Sequence, residues 1–223
     1  QESCVSDRMT WDEAVDRYMK HFDCKSLDDF QTKRRIGYYK SLWLYVHLIK
    51  SPECIVELGT LYGESSLFLA CAIAGTEAKL VCVDPVLATG HYEHHEHDGT
   101  TASWSVDPHA VRQRILEASG LPESQLVFVP KTSAEAFKDW NGSKIDFLLV
   151  DACHRFQNVF EDCNWMQHVK MYGYAAFDDW SADVAGAVYL YTNQVNRGGW
   201  RLLHCSTEEP LGDWCVPILR RIG

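Results

Sequence analysis

The chain has 223 residues, 46% of them hydrophobic and 23% charged, proportions that suit one globular domain with a single core. A formal charge of −10 excludes nucleic acid and an anionic membrane surface as main partners, because both require a basic face. No apolar run approaches the ~20 residues that span a bilayer, and residues 1–20 carry charges throughout, with no apolar centre of a secretion signal.

The nine cysteines contain no Cys-x-x-Cys pair, which argues against a structural zinc site. Their number is odd, and Cys54 and Cys82 fall inside apolar strand-like runs. They read as reduced thiols in a reducing, cytoplasmic compartment. The chain opens on Gln1, which fits a processed chain or a piece of a longer multidomain polypeptide.

Residues 9–50 read as helical. Thr10 followed by Glu13 is a capping-box pattern for a first helix. A second helix is expected over Leu27–Ile49, stopped by Ser51-Pro52. Strands and helices then alternate. Expected strands are Ile55–Glu57, Leu80–Val83, Leu126–Val129, Ile145–Val150 and Ala175–Phe177. Expected helices are Ser65–Ile73, Val111–Ala118, Ala134–Trp140, Val159–His168 and Ala185–Asn193. Trp200–His204 and Trp214–Leu219 close the chain as an antiparallel pair. This alternation predicts an α/β fold with a mostly parallel, Rossmann-like sheet and added N-terminal helices. A long loop without secondary structure is expected at about 88–108, holding the His-rich run 91–98 and Trp104.

The first strand runs into a turn containing Gly59 and Gly63, and a helix follows. Such a turn at a strand's carboxyl end is where open α/β sheets bind nucleotide-like ligands. A nicotinamide-binding fold would show Gly-x-Gly-x-x-Gly. Here the spacing is Gly59-x-x-x-Gly63 with Glu57 ahead of it, so the glycines that let backbone approach a pyrophosphate are missing. An NAD-dependent dehydrogenase is therefore the second reading.

The stretch Val56-Glu-Leu-Gly-Thr-Leu-Tyr-Gly-Glu-Ser65 resembles motif I of the class I S-adenosylmethionine-dependent methyltransferases. It is most similar to the branch that contains catechol and sugar O-methyltransferases. Val83-Asp84, Val150-Asp-Ala-Cys-His154 and Phe177-Asp-Asp-Trp180 follow in the family's order, and the resemblance covers about residues 35–205. It implies a seven-stranded sheet with a C-terminal antiparallel hairpin, in one domain. It also implies that Glu57, Gly59, Thr60, Leu61, Gly63 and Ser65 cradle the methionine part of S-adenosyl-L-methionine. Asp84 would hold the ribose, Thr132 and Ser133 would meet the adenine, and Asp151 would lie near the sulfonium.

In this branch a divalent cation, Mg2+ or another, often binds the acceptor oxygen; the matching carboxylates here are Asp151, Asp178 and Asp179. His154 falls where catechol-type relatives place their base, oriented by Asp151 or a neighbour; the alternative to a metal is catalysis by His154 with carboxylate help from Asp178 or Asp179. Cys153 stands where some relatives carry a further acid. The expected acceptor is a hydroxyl on a small molecule or glycan, a sugar first, with Trp180 as one wall. A binding module that keeps the fold without the chemistry is the alternative outside the enzymes.

Overall fold

Strand β1 (Cys54–Leu58) is buried at all five positions, and the chain is layered around it. The computed structural model describes residues 8–22, 30–95, 101–141, 144–196, 199–205 and 216–223. β1 pairs in parallel with β2 (Lys79–Val83) on one side and, across the sheet, with β6 (Ile145–Val150) on the other. A short hairpin of β3 (His91–His95) and β4 (Thr101–Ser105) stands apart from this sheet. With β5 (Leu126–Val129), β7 (Val169–Phe177), β8 (Trp200–Cys205) and β9 (Pro217–Arg221), the order is β5-β2-β1-β6-β7-β9-β8. The five strands β5 to β7 are parallel, and β9 runs antiparallel between β7 and β8. The expected closing pair is present, with its last strand inserted inside the sheet.

Side-chain alternation divides the core into two layers. Ile55, Leu80, Cys82, Phe147 and Leu149 pack on one side against the residues of α1 (Trp11–His21), α2 (Phe30–His47), α3 (Glu64–Ile73) and α5 (Pro108–Ser119). Val56, Leu58, Val81, Val83, Leu148 and Val150 pack on the other. That layer holds α6 (Ser133–Asp139), α7 (Phe156–Asp162), the 3-10 turn Cys163–His168 and α8 (Ala182–Leu190). The capping box expected at Thr10 and Glu13 is formed.

The structure corrects several boundaries. The helix expected over Val159–His168 begins earlier, at Phe156, and tightens into a 3-10 turn from Cys163. The helix expected over Ala185–Asn193 starts at Ala182, capped by Ser181, and ends in a π turn over Tyr191–Val195. The stretch 88–108 is not a structureless loop. A helical turn, α4 (Val86–Thr89), leads into the β3–β4 hairpin, in which Tyr92 faces Trp104 with rings 6.1 Å apart. Cross-strand aromatic pairing supplies the order that a run of His and Glu conceals. Residues 96–100, between the two strands in sequence, lie outside the described residues.

Candidate active site

The carboxyl ends of five strands are stepped into one row by four backbone bonds. The Asp84 amide donates to Val129, Gly59 to Val83, Asp151 to Leu58, and Asp178 to Val150. Each donor is the first residue past its strand, and each acceptor is the last residue of the neighbouring strand. The glycine turn and the three acids, distant in sequence, therefore share one edge.

Gly59 (φ 89°) and Gly63 (φ 78°) take the left-handed conformation that favours glycine. A Cβ on Gly59 would lie 2.0 Å from the Asp151 carbonyl oxygen, so only a hydrogen fits between the two strand ends. Gly63 leads directly into α3.

Glu57 is completely buried beneath this turn. It accepts hydrogen bonds from the hydroxyls of Thr60 (3.0 Å), Ser65 (2.6 Å) and Ser66. Burial raises its pKa, and these hydroxyls pull it back in part. Glu57, expected as a cofactor contact, directs its carboxylate to these hydroxyls. Ser65 likewise spends its hydroxyl on Glu57, which leaves its backbone amide for a ligand.

Asp84 is nearly buried. Its Oδ2 accepts from the amides of Thr60 and Leu61, each at 2.9 Å, and its Oδ1 from Val86 at 2.9 Å. A carboxylate offers about four lone-pair sites. The ribose grip expected of Asp84 is reduced here to the remaining site on Oδ1, because the acid also pins the turn. Thr132 caps α6 in a capping box with Glu135, and the Ser133 hydroxyl donates to buried Asp162. Both residues follow β5 at the same edge, with their hydroxyls already engaged.

Across the turn lie the acids and His154. Nδ1 of His154 is 2.9 Å from an Asp179 oxygen, while Nε2 is 3.5 Å from Asp151 and 3.7 Å from Asp178. Side-chain exposure rises from 16% at Asp178 through 23% at Asp151 to 35% at Asp179, so Asp178 is the deepest of the three. Asp179 has a left-handed backbone, φ 45°, which turns its side chain to the imidazole and away from the pair. Among the described residues, the ligand atoms close enough to hold one metal ion are those of Asp151, His154 and Asp178. The expected set Asp151, Asp178 and Asp179 is altered in this geometry, since Asp179 is committed to Nδ1.

Burial first, and then the charges around it, push Asp151 up to about 8; the charges include Glu57, Asp179 and Asp84, while its bond to Asp178 opposes the rise. Asp178 is also raised well above the carboxylate range, by burial and by Asp151. The ligand atoms of the pair lie within 4.8 Å of each other. Burial alone would lower His154, but the bond to Asp179 and the charges of Asp178 and Asp179 outweigh it and raise the imidazole.

Two groups here escaped the sequence reading. Glu64, the first residue of α3, accepts from the hydroxyls of Tyr18 (2.7 Å) and Tyr39 (2.9 Å), with Arg35 at 3.5 Å. The N-terminal helices are thereby fastened to the glycine turn. Tyr38, next to Tyr39 on α2, is buried, and its hydroxyl has no hydrogen-bond partner. Trp180 is partly buried against the α7–α8 layer. A cavity of about 490 Å³ lies away from this cluster, between the β2–β5 valines, Trp140 and Trp165, and contains none of the site acids.

A family profile described as a methyltransferase domain matches residues 56–180, from the glycine turn to Trp180. The chain belongs to this methyltransferase family. Its fold is shared with the O-methyltransferase NovP, at a TM-score of 0.64 and 17% identity, over 84% of this chain and 81% of that one. It is similar also to the O-methyltransferase TomG from Streptomyces achromogenes, solved with SAM (TM-score 0.57, 15% identity, 100% and 92% covered). A third similar structure is CalS11, a TDP-rhamnose 3'-O-methyltransferase (TM-score 0.58, 11% identity, 98% and 99% covered). No curated protein matches the chain in sequence. Among the described residues, no helix is long and apolar enough to cross a membrane.

Proposed function

We propose that this methyltransferase transfers a methyl group from S-adenosylmethionine to a hydroxyl of a small molecule or glycan, a sugar hydroxyl in the first instance. The observation that carries this reading is His154, held at Nδ1 by Asp179, with Nε2 turned to the Asp151–Asp178 pair beside the glycine turn. TomG, solved with SAM, and CalS11, which acts on TDP-rhamnose, share the fold and lend support to cofactor and acceptor class.

Bound S-adenosylmethionine supplies a methyl group on a sulfonium, open to direct displacement by an oxygen. The first-turn amides of α3 lack intrahelical partners and suit its carboxylate. Gly59, Thr60, Leu61 and Gly63 form the cradle, and Asp84 offers its remaining lone pair to the ribose. Thr132 and Ser133 flank the adenine side. Asp151, packed against Gly59 at this edge, would lie near the sulfonium. His154 would take the acceptor proton at Nε2 as general base for methyl transfer. Asp179 stabilises the imidazolium that results, and Asp151 and Asp178 align the acceptor hydroxyl.

A divalent cation would be held by Asp151 and Asp178, whose ligand atoms lie within 4.8 Å of each other and which would give up their protons to it. It would polarise the acceptor oxygen. With Asp179 on Nδ1, the remaining ligands would be waters or acceptor oxygens, as hard cations accept.

The test is transfer of labelled methyl from S-adenosylmethionine to a panel of sugars, nucleotide sugars and catechol. The expected result is transfer that is lost in His154→Ala, abolished by a chelator and restored by Mg2+ or Mn2+. Binding of S-adenosylmethionine with undiminished transfer in His154→Ala would remove the base assignment. Binding without transfer to any acceptor would favour a non-catalytic module. Activity unaffected by the chelator would remove the cation.

A further inference from the structure

The cavity of about 490 Å³ lies on the face of the sheet that packs against α6, and its size is that of a small-molecule pocket. Lys79, Val81 and Val83 line it in turn. Alternate residues of a strand share one face, so the cavity runs the length of β2, about 13 Å. Val127 and Val129 continue the floor on β5, at the edge of the sheet. Both are only half-buried, whereas Val81 and Val83 are buried, so the floor is apolar surface left partly uncovered. Trp140 and Trp165 form a wall, their rings edge to face with centroids 5.0 Å apart. Of the described residues that line the cavity, none belongs to the glycine turn or to the cluster of acids around His154.

The charges on the lining do not balance. Glu53 is paired with Lys170, and Asp139 with Lys131. Lys79 and Lys144 line the same cavity, and among the described residues neither has an ion-pair partner. Lys79 opens β2 and Lys144 immediately precedes β6. The order β2-β1-β6 sets both at the amino edge of the sheet, opposite the edge that carries Asp84, Asp151 and Asp178. Their strands lie about 10 Å apart across β1, a gap that two four-carbon lysine stems can span.

We propose that this cavity binds an elongated, flat aromatic monoanion, its rings on the valine floor beside Trp140 and its carboxylate between Lys79 and Lys144. The flat sheet face and the tryptophan wall suit fused rings. The floor offers no hydrogen-bonding side chain, which disfavours a sugar, and the two unpaired cations call for one negative group at the end. The site stands without the methyl-transfer reading.

The test is calorimetric titration of the full chain with 2-naphthoate, alongside its uncharged amide and decanoate. Naphthoate is expected to bind one to one and about tenfold more tightly than the amide. Lys79→Met combined with Lys144→Met should weaken naphthoate about tenfold and leave the amide unchanged. Both lysines are exposed, so this variant should fold as wild type does. Val129→Phe, which fills the floor, should abolish binding of both ligands. In protein labelled with 5-fluorotryptophan, the 19F resonance that is lost in Trp140→Phe should shift when naphthoate is added. Absence of binding at millimolar naphthoate overturns the proposal, as does an unmoved Trp140 resonance. Equal affinity for acid and amide, or naphthoate binding untouched in the lysine variant, overturns the anion site. Tighter binding of decanoate than of naphthoate overturns the aromatic class.

Discussion

Asp179 reaches His154 at Nδ1, 2.9 Å away, from a backbone position that few non-glycine residues adopt. The contact fixes which nitrogen of the ring remains for the acceptor. In the proposed reaction it also makes Asp179 a partner of the base, separate from Asp151 and Asp178.

That division of labour predicts unequal losses. His154→Ala should lower kcat by roughly 10²- to 10⁴-fold, the usual range for removing a general base. Asp179→Asn, which tolerates the left-handed backbone, should cost less, about tenfold to a hundredfold. Both should leave S-adenosylmethionine affinity, measured by calorimetry, close to that of wild type. Equal loss of cofactor binding in both would place them in the cofactor site.

Gly59→Ala should act on two strands at once. The added Cβ meets the Asp151 carbonyl oxygen at 2.0 Å, and the backbone stays at φ 89°. Positive-φ strain alone costs about 1–3 kcal/mol, and the clash adds to it. The midpoint of urea unfolding should drop, and S-adenosylmethionine binding should be lost with it. Unchanged binding would show that the β1–β6 approach does not shape the cofactor site.

Glu57 supports the turn from below. Glu57→Ala leaves the hydroxyls of Thr60, Ser65 and Ser66 without their acceptor. At roughly 1–3 kcal/mol for each orphaned group, the protein should lose about 3 kcal/mol or more. Glu57→Gln keeps one acceptor oxygen and should lose less. Chemical denaturation distinguishes the two variants, and equal stability of Glu57→Ala and wild type would contradict the buried network.

Asp162 links stability to pH. Burial first, with some help from Glu161, raises it from 3.8 to about 7, against the bond from Ser133. The folded chain therefore holds a proton that the unfolded chain has already released across that interval. The stabilising share of Asp162 is full below 3.8 and is lost as pH rises through about 7. Asp162→Asn should flatten this part of the stability profile, read from urea midpoints measured across the interval. A profile that keeps its slope would assign the slope to other groups.

The sheet was legible because its strands are short apolar runs between turn residues. Cys54–Leu58 and Ile145–Val150 are buried at every position, and no polar alternation obscured them. The convergence of Asp84, Asp151 and Asp178 was legible as well, since each follows an apolar run directly. The exchange of duties between Glu57 and Asp84 was not. Both are acids near a glycine turn, and only the fold decides that one takes hydroxyls and the other amides. Tyr38 was hidden for a related reason. It stands next to Tyr39 on α2, and nothing local shows that the Tyr39 hydroxyl donates to Glu64 while that of Tyr38 is buried without a partner. The hairpin at 91–105 was missed because its order depends on Tyr92 meeting Trp104 across a gap in sequence.

Strand β9 is synthesised after β8 yet lies inside it, between β8 and β7. While the ribosome is still making residues 200–205, β8 has no strand to join, and the β7 edge beside Asp178 is bare. The edge that carries the acids can be completed only when Pro217–Arg221 slots into place. A nascent chain should therefore acquire its glycine turn early and its finished acceptor edge late. Premature termination before Pro217 should leave an exposed sheet edge ready to pair with another chain.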